Sequence, residues 1–143
     1  MMGQTITVVD GISVGTPGTA TVAISGAVTP AWVDCTGSAK STCTEVWNGG
    51  SLSLTIGQKT YTTSFGEGAT ASSVASALVS AMNTALSPVS ATLSGDTITI
   101  QSTLNGTGTD YPLSVSYSYN TSFFTHPAFT ATLSGANLTG GTN

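Results

Sequence analysis

Three residue types in this chain invite a search for chemistry: a serine between glycines, a lone histidine and a pair of cysteines. Gly11-Ile12-Ser13-Val14-Gly15 fits G-x-S-x-G, the pattern that holds a nucleophilic serine on a sharp strand-to-helix turn in α/β-hydrolases. Ser13, then Asp96 or Asp110, then His126 also follow the Ser, acid, His order of those enzymes. The flanks argue against the match, because TPGTATVAIS supplies a turn and a strand where a helix is required, and such a sheet needs more chain. His126 stands alone in FFTHPAF, so no zinc ligand set forms around it. None of the six carboxylates lies in a glycosidase-type motif, and no Gly-rich loop leads through Lys-Ser or Lys-Thr into a helix. Lys59 shares a strand face with Tyr61 and Phe65, which suits either an isopeptide-forming buried lysine or a lysine that snorkels from an edge strand. The expectation is a non-enzyme with no catalytic residue, cofactor or metal.

Cys35 and Cys43 bracket DCTGSAKSTC, a short polar loop whose spacing suits a disulfide closing a hairpin. Two free thiols are the alternative, since cysteine is often simply a small buried residue. Trp32 and Trp47 lie just outside the cysteines. They either pack across the hairpin stem or, with Tyr117, Tyr119 and Phe124, offer a stacking platform for a ligand.

The surroundings of these residues are unusual in charge. Only 6% of the chain is charged, against about 25% in typical domains, while Ser and Thr make up about a third. Lys40 and Lys59 are the only cations and the net charge is −4, so nucleic acids and anionic membranes are improbable partners. With 39% hydrophobic residues the chain is expected to fold, and weak charge repulsion removes a common barrier to self-association. No apolar run reaches the ~18 residues of a membrane span. The opening MMGQTITVVDGISVG has neither the basic nor the apolar region of a signal peptide, which leaves the disulfide as the hint to an oxidising, extracellular setting. Asn105, Asn120 and Asn137 head N-glycosylation sequons, although a chain this rich in Ser and Thr produces such triplets by chance.

The elements that position these residues are mostly strands. SLSLTI and KTYTTSF flank Gly57-Gln58 as a hairpin, and VSATLS and DTITIQS flank Gly95-Asp96 as another. Between them GEGATASSVASALVSAMNTAL reads as one amphipathic helix over 71–86. Thr70 caps it, Val74, Leu78, Met82 and Ala85 with Ala75, Val79 and Leu86 form its apolar stripe, and Ser87-Pro88 ends it. Its outer face carries Ser72, Ser73, Ser76, Ser80, Asn83 and Thr84 without a charge. YPLSVSYSYN is a long half-buried strand from Tyr111, QTITVV, TATVAIS and FTATLS are further strands, and NLTGGTN reads as a linker. The fold class is therefore mainly β (α+β): antiparallel sheets or a sandwich with a single helix between two hairpins, ββ-α-ββ-β. Residues 1–50 form N-terminal strands and the cysteine hairpin, 51–135 the core and 136–143 a tail, within one compact domain.

The order hairpin, helix, hairpin, strand in LTIGQKTYTTSFGEGATASSVASALVSAMN and VSATLSGDTITIQSTLNGTGTDYPLSVS resembles the IN-type motif of flagellin and hook-associated proteins and modules of phage tails. It resembles more closely the Ser/Thr/Gly-rich domains preceding YD (RHS-type) repeats of bacterial surface proteins, which share strings like TASSVASAL and TATLSGANLTGG. The resemblance implies an extracellular or virion structural module and supplies no catalytic residue. The Cys35/Cys43 loop is foreign to the flagellin-type pattern and favours the surface-protein side.

Two functional expectations follow. The first is a secreted structural subunit or module that associates with itself into a filament or stalk, with QTITVV or FTATLS pairing with a neighbour's open edge. The second is a surface adhesin that binds carbohydrate or peptide through Trp32, Trp47, Tyr117, Tyr119 and Phe124. A solvated stalk module without self-assembly ranks third.

Overall fold

The structure, a computed structural model, describes residues 15–143. Ser13 and the strand pattern QTITVV lie outside the described residues. The chain runs β1 (Thr19–Gly26), β2 (Pro30–Val33), β3 (Thr44–Trp47), β4 (Gly50–Ile56), β5 (Lys59–Phe65), α1 (Ala71–Met82), β6 (Val89–Ser94), β7 (Thr97–Ser102), β8 (Leu113–Tyr119) and β9 (Phe129–Leu133). The fold is mainly β with one helix between two hairpins, as the period-2 and period-3.6 patterns predict.

The strands form a four-stranded antiparallel sheet ordered β6-β7-β1-β9, a three-stranded sheet ordered β5-β4-β8 and a separate β2-β3 ribbon. Both expected hairpins form around glycines of positive φ, Gly57 at 65° and Gly95 at 62°, each first of two loop residues as tight hairpin turns favour. Alternation sends Val22 and Ile24 of β1, Leu52, Leu54 and Ile56 of β4, and Ile98 and Ile100 of β7 into one core shared by both sheets.

Helix α1 packs against β5 of the three-stranded sheet and β6 and β1 of the four-stranded one, bridging the two sheets. The Thr70 hydroxyl accepts the Ser73 N–H at 3.1 Å, and the Ser73 hydroxyl oxygen accepts the Thr70 N–H at 2.9 Å, a reciprocal cap. Val74, Ala75, Leu78 and Met82 are buried, but the helix stops four residues before the expected end. Asn83 leaves the helical conformation and a turn closes from Thr84 to Ser87. Ala85 and Leu86 therefore leave the apolar stripe, and Leu86 is 91% exposed. Buried Ser87 explains the early stop: its hydroxyl bonds the Tyr61 hydroxyl at 2.6 Å and donates to the Val89 carbonyl at 2.8 Å, fixing the chain for β6.

Two other boundaries differ from the sequence reading. The last long strand starts at Leu113 rather than Tyr111, because Pro112 forms only an isolated bridge to Asn137. The expected C-terminal linker, 136–143, is woven into the fold. Leu138 is fully buried, its N–H bonds the Tyr111 carbonyl at 2.9 Å, and Thr139 and Thr142 exchange backbone bonds with Thr19 and Thr16. β1 is likewise the inner strand between β7 and β9, so segments from 15–50 and 136–143 complete the core of 51–135.

Candidate functional site

The sheet faces turned away from the core present one chemistry. On the three-stranded sheet, Ser51, Ser53 and Thr55 of β4 stand between Ser64, Thr62 and Thr60 of β5 and Ser118, Ser116 and Ser114 of β8. The result is a three-by-three grid of hydroxyls, ~4.8 Å apart across strands and ~6.8 Å along them. Hydroxyl pairs close across it at 2.9 Å between Ser53 and Thr62 and 3.0 Å between Thr55 and Thr60. The four-stranded sheet repeats the pattern: Thr92, Thr99 and Thr21 share one row, and Ser94, Thr97, Ala23 and Thr132 the next. A shallow depression of about 250 Å³ between Thr19, Thr21, Thr99, Ser134 and Thr139 marks this face. Neither face carries a charge. The described charges sit at turns and loops, at Glu67, Asp96 and Asp110, at Lys59, the first residue of β5 and paired with core-facing Ile56 rather than with the grid, or on the ribbon and its loop, at Asp34, Lys40 and Glu45.

The sheet edges are guarded by side chains. At the outer edge of β6 the Asn83 amide donates to the Ala91 carbonyl at 2.8 Å and accepts the Ala91 N–H at 2.7 Å, reproducing the bonds a neighbouring strand would make. At the outer edge of β9 the Tyr117 hydroxyl accepts the Ala131 N–H at 2.9 Å and donates to its carbonyl at 3.5 Å. Each pin occupies the middle of its strand, which blocks the register another chain would need. Helix α1 lies against β5, and Leu113 of β8 donates its N–H to the Ala136 carbonyl at 2.8 Å. FTATLS, expected as a strand offered to a neighbour, is already paired with β1 as β9.

The disulfide between Cys35 and Cys43 is present and closes the tip of the β2-β3 ribbon. In the antiparallel register Trp32 faces Glu45 and Trp47 faces Pro30, so the two indoles are diagonal neighbours on one face. Lys40 lies 5.3 Å from the centre of the Trp32 ring, and the Trp47 indole N–H donates to the Glu45 carboxylate at 3.1 Å. Tyr117 is committed to the β9 edge, and the Tyr119 hydroxyl donates to the Thr125 carbonyl at 3.1 Å. Phe124 is half-buried in the loop between β8 and β9. Trp32 and Trp47 thus share the ribbon, while Tyr117 and Tyr119 each bond a different segment.

Asn137 binds the Asp110 carbonyl through its amide nitrogen at 3.3 Å, the atom a glycan would need, whereas the Asn120 side-chain oxygen accepts the Ser122 N–H in a local turn. Asn105 is exposed beside Gly106. Asp96 lies in the β6-β7 turn, the Asp110 carboxylate accepts the Gly141 N–H at 2.9 Å, and His126 is exposed with its carbonyl taken by buried Asn48 at 3.2 Å. Among the described residues no group of three or more His, Cys, Asp or Glu is placed to hold a metal ion. Also among them, no helix is long and apolar enough to cross a membrane. Lys59 is exposed rather than buried, at the rim of a groove formed with Tyr111 and Pro112.

No protein-family model matches the chain, and no curated protein matches it. Sequence reasoning missed the pins at Asn83 and Tyr117 and the groove at Lys59. Asn83 carried a signal, an amide directly after a helix and shortly before a short strand. Nothing local pairs Tyr117 with Ala131.

Proposed function

We propose that the protein is an extracellular structural module that associates with copies of itself into a filament or stalk, in the manner of the Ser/Thr/Gly-rich domains of RHS-type surface proteins. The observation that carries this reading is the charge-free hydroxyl lattice on both broad sheet faces, with ionic groups confined to turns and the ribbon. A hydroxyl grid at strand spacing offers donors and acceptors together, so a second copy's grid can satisfy it without desolvating a charge. The hairpin, helix, hairpin, strand order agrees with the resemblance, and the disulfide fits an oxidising compartment.

Contact runs through faces rather than strand edges, because Asn83 and Tyr117 hold the edges of β6 and β9. The uncharged outer face of α1, with Ser72, Ser76 and Ser80 exposed, belongs to the same surface chemistry. The test is negative-stain imaging of purified protein at rising concentration beside the variants Ser53→Lys and Thr99→Lys. Each variant sets a charge in the middle of one grid at small cost to the core. Assemblies that vanish in either variant support face contact. Unchanged assemblies in both, or none in the natural chain, remove it.

A further inference from the structure

A concavity at the turn end of the three-stranded sheet has no part in the assembly just proposed. Its volume is about 550 Å³, within the range of small-molecule sites, and Ile56, Gly57, Gln58, Lys59, Pro88, Tyr111 and Pro112 line it. Two backbone bonds fix its walls: Gly57 N–H to the Pro112 carbonyl at 2.8 Å, and Leu138 N–H to the Tyr111 carbonyl at 2.9 Å. The Tyr111 ring leans over Gly57, where a Cβ would sit 3.5 Å from the ring. The groove is therefore preformed, which spares a ligand the cost of ordering it.

Its chemistry is an aromatic face and two proline rings, with an amide and an ammonium side by side on the rim. Aromatic and aliphatic rings suit the C–H face of a pyranose, and Gln58 can both donate to and accept from sugar hydroxyls. Lys59 is the one ionic group in the lining, and Lys40, the chain's other cation, stands over Trp32. Asp110, next in sequence to Tyr111, turns its carboxylate to the Gly141 N–H. The rim is thus complementary to an anion. We propose that this groove binds an acidic carbohydrate, stacking a uronic acid ring on Tyr111 and pairing its carboxylate with Lys59.

Titration calorimetry of the full chain with trigalacturonate, with maltotriose as the neutral control, tests this. The natural chain and Tyr111→Phe should bind trigalacturonate and prefer it over maltotriose. Lys59→Gln should bind about tenfold more weakly, the loss expected for one charge-assisted hydrogen bond. Tyr111→Ala should lose binding, with circular dichroism checking its fold, while Trp32→Ala should change nothing. No heat with either sugar, or binding lost in Trp32→Ala instead, would overturn the site. Equal binding of maltotriose, or no loss in Lys59→Gln, would overturn the acidic class.

Discussion

Asn83→Ala removes the amide that stands in for a missing strand beside β6. Two hydrogen bonds are lost, at 2.7 and 2.8 Å, between the backbone of Ala91, which is buried, and the side chain of Asn83, which is exposed. A neutral hydrogen bond contributes about 0.5–1.5 kcal/mol net, and water can reach the vacated edge, so the expected cost is about 1–2 kcal/mol. For a chain of this length that lowers Tm by about 2–8 °C. Asn83→Asp separates the two bonds: it keeps an acceptor for the Ala91 N–H but sets a carboxylate against the Ala91 carbonyl, so it should be no more stable than Asn83→Ala. The second consequence is intermolecular, because an unpinned edge offers donors and acceptors at strand spacing. Thermal denaturation by circular dichroism, with light scattering on the same samples, reads both effects. The reasoning is refuted if Asn83→Ala melts with the natural chain and associates no more readily.

Leu78 is fully buried between the helix and the sheets, so Leu78→Ala should cost about 2–5 kcal/mol in urea denaturation through lost burial and a cavity. Tyr117→Phe keeps the ring but frees the Ala131 N–H and carbonyl, and should cost about 1 kcal/mol while raising hydrogen exchange at Ala131. Replacing Cys35 and Cys43 by serine opens a loop of sequence separation 8 and should cost the ribbon about 2–3 kcal/mol. Faster exchange at the ribbon amides, with the sheets unchanged, is the expected pattern.

Much of the architecture was legible because it rests on local pattern. SLSLTI and KTYTTSF alternate cleanly around a glycine turn, and Val74, Leu78 and Met82 recur at helical spacing, so both elements and their buried faces follow from the sequence. The end of α1 was not, since Ala85 and Leu86 continue the stripe and the bonds that draw the chain away, Asn83 to Ala91 and Ser87 to Tyr61 and Val89, depend on tertiary placement. NLTGGTN reads as a linker because Leu138 is its lone apolar residue, yet that one side chain and the bonds to Thr16 and Thr19 fix it in the fold. The hydroxyl grids were visible strand by strand, but their assembly into two faces depends on register, which no single strand contains. The aromatics were legible only in part: spacing about the cysteines put Trp32 and Trp47 on one hairpin stem, whereas the partners of Tyr117 and Tyr119 lie in β9 and the loop before it.

Sedimentation equilibrium of the natural chain, over a wide concentration range at low and at molar salt, tests self-association through uncharged faces most directly. The account predicts a mass that rises with concentration and does not fall at high salt, since screening weakens ionic contacts and leaves hydroxyl and apolar ones. A mass that stays monomeric throughout, or an association dissolved by salt, would contradict it.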